Sequence, residues 1–257
     1  MDVTPHIIEV GGARRRLLVV EPAGTPSVVL LSLHGSRSSP EGQNRLSRMA
    51  PLSEHGALVA FPEGSLRLGS GFEWDLSADG AFLAAAVEHL RDVFTPSSSR
   101  LSVTGMSGGA RMASRFASQH CDEVVLLGAV AGLRTPSDAP LRQPVRVVAF
   151  HGTNDRVNPY AGSGTARWNE SVLDAAMGWA RANGLPTEPE QSQVAPALTR
   201  LAFGPQDHPG AVTLWVSRGA GHTWPGSRLP IPLRLLLGRT SHEIDATEEL
   251  WRVLTSP

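Results

Sequence analysis

Three side chains in this sequence have the types and the setting for covalent chemistry: Ser107, Asp155 and His222. Ser107 lies in Gly105-Met-Ser-Gly-Gly109, which fits the pattern G-x-S-x-G. In that turn, glycines two before and two after the serine let a strand and a helix approach closely while the serine holds a strained backbone. A serine hydroxyl is a weak nucleophile until an adjacent base takes its proton, and the base works best when a third group orients it. His222, within Gly219-Ala-Gly-His222, offers the base, and Asp155, within His151-Gly-Thr-Asn-Asp155, offers the carboxylate. Asp207-His208 has suitable residue types too. It sits in the turn signature Asp207-His-Pro-Gly210, however, and Asp174 falls in a helical stretch, so Asp155 is the residue expected to orient His222.

The elements needed to position these groups are legible around them. Residues 101–104 alternate apolar and polar, whereas Ala110, Ala113, Phe116 and Ala117 recur at helical spacing, so a strand gives way to a helix across the serine. Apolar runs at 145–150 and 212–216 end just before the loops of Asp155 and His222. That is the carboxyl end of a strand, where open α/β sheets bind ligands. Residues 28–33 form a nearly continuous apolar run of the kind a buried parallel strand needs, and it leads into His34-Gly35-Ser36. A loop after such a strand supplies one of the two backbone donors to a developing oxyanion, so the N–H groups of Ser36 and Gly108 are expected to form that hole.

Elsewhere, residues 7–10 and 14–20 flank Gly11-Gly12 and predict a hairpin, with Arg14 to Arg16 read as charge on an edge strand. Residues 40–55 read as a helix, 57–61 as a strand and 62–75 as a loop carrying Phe72 and Trp74. A helix over 79–94 is expected to be capped by Asp79. Residues 124–130 and 197–203 read as strands, 171–183 as a helix and 186–196 as polar and irregular. Asp245-Ala-Thr-Glu248 opens a closing helix. Strands alternating with helices predict an α/β fold, a mostly parallel doubly wound sheet with helices on both faces and an N-terminal antiparallel hairpin, in a single domain over 1–257. The segment 223–239 carries Leu229, Ile231, Leu233, Leu235, Leu236 and Leu237. Two readings stand: a strap or short helix packed on the core, or, with Phe72, Trp74 and Trp224, the apolar wall of an acyl pocket.

Composition excludes several classes of function. The 257 residues hold 23 basic side chains, all arginine, against 24 acidic ones, so the net charge of −1 gives no electrostatic case for nucleic acid or an anionic membrane. No run approaches the roughly 20 apolar residues of a membrane-spanning helix. Residues 1–10 lack the basic and apolar regions of a secretory signal, so a cytoplasmic location is expected. One cysteine, Cys121, allows no intrachain disulfide, and the nine histidines lack metal-site spacing; neither metal nor other cofactor is expected.

Taken in order, several segments resemble the polyhydroxybutyrate depolymerase-like esterases, relatives of the feruloyl and acetylxylan esterases. They are Leu33-His-Gly-Ser36, Trp74-Asp75, Val103-Thr-Gly-Met-Ser-Gly-Gly109, His151-Gly-Thr-Asn-Asp-Arg-Val-Asn-Pro-Tyr160 and Gly219-Ala-Gly-His-Thr-Trp-Pro-Gly226. The resemblance implies an α/β-hydrolase fold, with Ser107 as nucleophile, Asp155 as acid, His222 as base and the Ser36 and Gly108 amides at the oxyanion. Many relatives carry cysteine where Ser36 and Leu185 stand. The expected chemistry is hydrolysis of a small-molecule ester through an acyl-enzyme. The same triad also serves a thioesterase, acyltransferase or cyclase acting on an ester or thioester, and the fold can persist as a binding protein without turnover.

Overall fold

In the computed structural model, which describes residues 3–98, 100–137 and 140–256, the chain begins with β1 (Val3–Val10) and β2 (Ala13–Val20). Gly11 and Gly12 turn this hairpin at φ of 57° and 79°, a region closed to most side chains. There follow β3 (Val28–Leu33), α1 (Pro40–Ser47), a 3-10 turn at Ala50–His55, β4 (Ala57–Pro62), and a short pair β5 (Leu66–Leu68) and β6 (Gly71–Glu73). Next come α2 (Asp79–Phe94), β7 (Leu101–Met106), α3 (Gly108–Gln119), β8 (Val124–Val130), β9 (Arg146–Gly152) and α4 (Val172–Ala182). The chain closes with β10 (Glu190–Ala195), β11 (Leu198–Phe203), β12 (Val212–Ser217), α5 (Ile231–Leu237) and α6 (Ala246–Thr255).

Ten strands share one sheet in the order β1-β2-β4-β3-β7-β8-β9-β12-β11-β10. The six from β4 to β12 run parallel. They are apolar almost throughout because both faces are covered. One face packs Leu31, Val103 and Ala149 under α2, α3 and α4 through Phe82, Phe116 and Trp179. The other packs Val59, Phe61 and Val148 under Leu250 and Leu254 of α6 and Leu52 of the 3-10 turn. The doubly wound, mostly parallel sheet with an N-terminal hairpin is therefore as the sequence predicts.

Several expectations change. The stretch read as irregular holds β10, a second antiparallel hairpin partner at the far edge. Its side chains are exposed on both faces, so no apolar alternation marks it. β2 is not an edge strand, since it lies between β1 and β4; two of its arginines are paired, Arg15 with Asp79 at 2.9 Å and Arg16 with Glu63 at 2.7 Å and with Glu41. The helix expected over 40–55 breaks at Arg48, which takes φ 54°, and resumes as the 3-10 turn behind Pro51. Asp79 is the first residue of α2 and not its cap; fully buried, its carboxylate accepts the Ser65 and Asp75 N–H groups. Among the described residues no helix is long and apolar enough to cross a membrane.

Candidate active site

Ser107 ends β7 and precedes α3 with φ 56° and ψ −116°, a backbone that non-glycine residues rarely adopt. Its N–H donates to the Val130 carbonyl at 2.9 Å, and its own carbonyl accepts from Arg111 at 3.0 Å. The two flanking glycines are where backbone meets backbone: a Cβ on Gly105 would lie 2.5 Å from the Gly109 carbonyl carbon, and one on Gly109 would lie 2.3 Å from the Leu33 oxygen. The N-terminal end of α3 faces this point, so its unpaired N–H groups and dipole favour negative charge there.

Asp155 and His222 meet on the loops after β9 and β12. Asp155 Oδ2 is 2.7 Å from His222 Nδ1, and both residues are buried. The other carboxylate oxygen accepts the N–H groups of Val157 at 2.9 Å and Asn158 at 2.8 Å, so the carboxylate is held from both sides. With Nδ1 donating to Asp155, His222 keeps Nε2 for proton transfer. The His222 N–H donates to the Leu237 carbonyl at 2.6 Å, and a Cβ on Gly152 would lie 2.2 Å from the Ala220 oxygen, which shows how tightly the two loops are pressed together. Asp174 instead accepts from Ser171 Oγ at the start of α4, and the Asp207 carbonyl accepts from Arg146. Among the described residues Ser107 Oγ has no hydrogen-bond partner; catalytic contacts of this kind often tighten only when substrate binds.

Beneath the acid lies a layer that sequence reasoning left unassigned, although its residues stand in the same His151-to-Tyr160 motif. Buried His151 donates from Nε2 to the Asn158 carbonyl at 2.8 Å, with the same nitrogen 3.4 Å from Asp155 Oδ2, and stacks on Trp168. Burial pushes the His151 pKa down, against the raising effect of Asp155 and the Asn158 carbonyl, and the nearby His222 lowers it further. Asn158 Nδ2 donates to the Ala131 carbonyl at 2.7 Å, in the turn after β8.

The loop carrying Ser36 is equally constrained. His34 Nε2 accepts the Gly64 N–H at 3.0 Å, so the ring proton belongs on Nδ1, which faces the Gly35 carbonyl at 2.9 Å. Burial lowers the His34 pKa and keeps this ring neutral. Trp74 Nε1 donates to the His34 carbonyl at 2.8 Å, and Phe72 exchanges backbone bonds with Arg37 and Ser38, each 2.8 Å. Phe72 and Trp74 thus brace the loop that presents the Ser36 amide. A Cβ on Gly108 would lie 3.3 Å from the Ser36 nitrogen, so the backbones of the two candidate donors pack closely.

The expected apolar wall is not assembled as foreseen. Trp224 is 1% exposed, packed under α6 with Nε1 donating to Thr247 Oγ1 at 3.2 Å, and so belongs to the core. Nor does the 223–239 segment form a strap on the core. Its helix α5 buries no residue, and Ile231, Leu235 and Leu236 are 71%, 84% and 73% exposed.

The sequence matches no family model. It is 28% identical to the putative esterase NocK of Nocardia uniformis subsp. tsuyamanensis, over 81% of this chain and 68% of that one. The fold matches that of an acetyl xylan esterase from Aspergillus awamori with a TM-score of 0.63 at 18% identity, over 81% of this chain and 89% of that one. It also matches Est1E from Butyrivibrio proteoclasticus with a TM-score of 0.60 at 11% identity, over 98% and 99% of the two chains. The chain has the α/β-hydrolase fold.

Proposed function

We propose that this enzyme hydrolyses a small-molecule carboxylic ester through a Ser107–His222–Asp155 triad and an acyl-enzyme intermediate. The observation that carries the reading is the Asp155–His222 bond of 2.7 Å on loops at the carboxyl end of the parallel sheet, the same end at which a serine sits in a strained strand-to-helix turn. As Ser107 Oγ attacks the ester carbonyl, its proton passes to His222 Nε2, and the imidazolium is stabilised by the buried Asp155 carboxylate. The carbonyl oxygen becomes an oxyanion and accepts from the Ser36 N–H on the braced 34–38 loop and the Gly108 N–H at the start of α3, donors held in place before the reaction. The carbon–oxygen bond to the alcohol breaks, and His222 returns the proton to the departing alkoxide. Water then gives a proton to His222 and adds to the acyl carbon, and as the bond to Ser107 Oγ breaks His222 returns that proton to Oγ, which releases the acid and restores the serine hydroxyl and the neutral imidazole.

Hydrolysis of 4-nitrophenyl butyrate by wild type and Ser107→Ala tests this. The variant should keep the fold and less than about a hundredth of the rate, in line with losses seen when triad members are removed. A Ser107→Ala enzyme of near-normal rate removes Ser107 from the mechanism.

A further inference from the structure

The surface beside Ser107 is unusually basic. Arg111 and Arg115 on α3, Arg134 after β8 and Arg167 before α4 line one cavity of about 190 Å³, together with Thr135 and Ser137. The cavity adjoins the reacting centre. The Arg111 N–H is bonded to the Ser107 carbonyl, and Arg167 donates to Ser36 Oγ at 3.0 Å. A Cβ on Gly108 would lie 2.6 Å from that same oxygen, so Arg167 links the cavity to the loop of the candidate oxyanion donors.

The carboxylates nearby do not saturate these arginines. Glu170 takes Arg134 Nε at 3.1 Å and also binds Thr135. Glu73 stands between Arg111 and Arg167 at 3.8 and 3.7 Å, beyond hydrogen-bond length, and its Oε1 accepts the Trp74 N–H. Among the described residues, four arginines against two glutamates leave an excess of two positive charges. Arg111 Nε and Arg134 NH1 are buried without a hydrogen-bond partner. A buried guanidinium N–H without an acceptor is costly, so the cluster holds donor capacity that its own neighbours leave unfilled. Burial first, and then the charge of Arg167, pull the Arg111 pKa below its ordinary value, against the raising effect of Glu73. The Arg134 guanidinium also lies over the Trp168 ring at 5.2 Å, which fixes its plane before any ligand arrives.

We propose that this cavity is an anion subsite, and that the ester cleaved at Ser107 carries a carboxylate or a phosphate a few bonds from its scissile carbonyl. Planar guanidinium forks suit both groups, because each presents paired oxygens to paired N–H donors. The proposal rests on the reading of Ser107 as nucleophile, and its test keeps the two apart.

Two 4-nitrophenyl esters of adipic acid, one with the distal carboxylate free and one with it capped as a methyl ester, differ in charge at nearly constant shape. Wild type should prefer the free carboxylate by about tenfold or more in kcat/KM at low salt, with the preference shrinking as ionic strength rises. Arg111→Gln and Arg167→Gln should bring the ratio toward one, chiefly by raising KM for the charged ester. Arg167 is 52% exposed, so its variant reads the subsite even if Arg111→Gln fails to fold. Calorimetry with monomethyl adipate and with inorganic phosphate reports binding independently of turnover, and both variants should weaken it. Binding of phosphate without binding of adipate or preference for the charged ester assigns the subsite to phosphate. Equal kcat/KM for the two esters, with neither anion bound, overturns the subsite while leaving the hydrolase reading in place. Failure to cleave either ester, with Ser107 inert to a fluorophosphonate, overturns the hydrolase reading itself, and anion binding lost in Arg167→Gln then still decides the subsite.

Discussion

Asn158 Nδ2 donates to the Ala131 carbonyl at 2.7 Å, and the neighbouring residue Val130 accepts the Ser107 N–H at 2.9 Å. The loop of the candidate acid is thereby tied, through the end of β8, to the backbone of the candidate nucleophile. Asn158→Ala leaves a buried carbonyl without its partner, a loss of about 1–3 kcal/mol. For a chain of this size that corresponds to a Tm lower by roughly 2–4 °C per kcal/mol. Because Asp155 is bonded to the Asn158 N–H, we expect kcat on 4-nitrophenyl butyrate to fall as well. An unchanged Tm in a thermal melt counts against the tie.

Asp155→Asn removes the charge that stabilises the His222 imidazolium and can present an N–H where the ring needs an acceptor. With the side-chain volume kept, kcat should fall by on the order of 10³–10⁴ and the fold should persist. Circular dichroism beside steady-state kinetics separates the two effects. A variant within tenfold of wild type excludes Asp155 as the orienting group.

Gly71 is needed for the close approach of the 34–38 loop, which carries the candidate oxyanion donor Ser36, and not for β6 itself. A Cβ there would lie 2.4 Å from both the carbonyl carbon and the oxygen of Arg37, backbone that cannot rotate aside. Gly71→Ala should displace the 34–38 loop and cost about 10²–10³ in kcat, as loss of one oxyanion donor does. Gly24→Ala, at a position with nothing within 4 Å, is the control and should be neutral. Equal rates for the two variants contradict the bracing role given to β6.

The buried histidines set an acid limit on stability. Burial depresses the pKa of His151 and of His34, so between those depressed values and the ordinary value near 6.5 the unfolded chain binds more protons than the folded one. Stability is therefore complete above about pH 6.5 and is lost as pH falls below it. Thermal melts from pH 7.5 to 5.5 should show a falling Tm, with a shallower fall in His151→Asn. A Tm that rises toward pH 5.5 contradicts this.

The sequence made the parallel centre of the sheet legible because strands buried on both faces must be almost continuously apolar, as residues 28–33 and 124–130 are. The serine turn was legible because its glycines answer to backbone contact, which tolerates no other side chain. β10 was not, since an edge strand exposed on both faces is held by backbone pairing alone. Trp224 was misplaced because proximity in sequence to His222 says nothing of which side of the chain a ring takes. Segment 223–239 misled for the opposite reason: apolar residues were assumed to be buried, and α5 leaves them in solvent. The arginine cavity escaped notice because it joins α3, the turn after β8 and the approach to α4, segments brought together only by the fold.

The most direct test of the central claim is trapping at the serine. Wild-type protein treated with a fluorophosphonate and measured as intact mass should gain one phosphonyl group, mapped by peptide fragmentation to Ser107, with loss of esterase activity in proportion. Ser107→Ala should gain none, and Asp155→Asn should react far more slowly. An adduct on another residue, or full activity in a protein modified at Ser107, contradicts the assignment of Ser107 as the nucleophile.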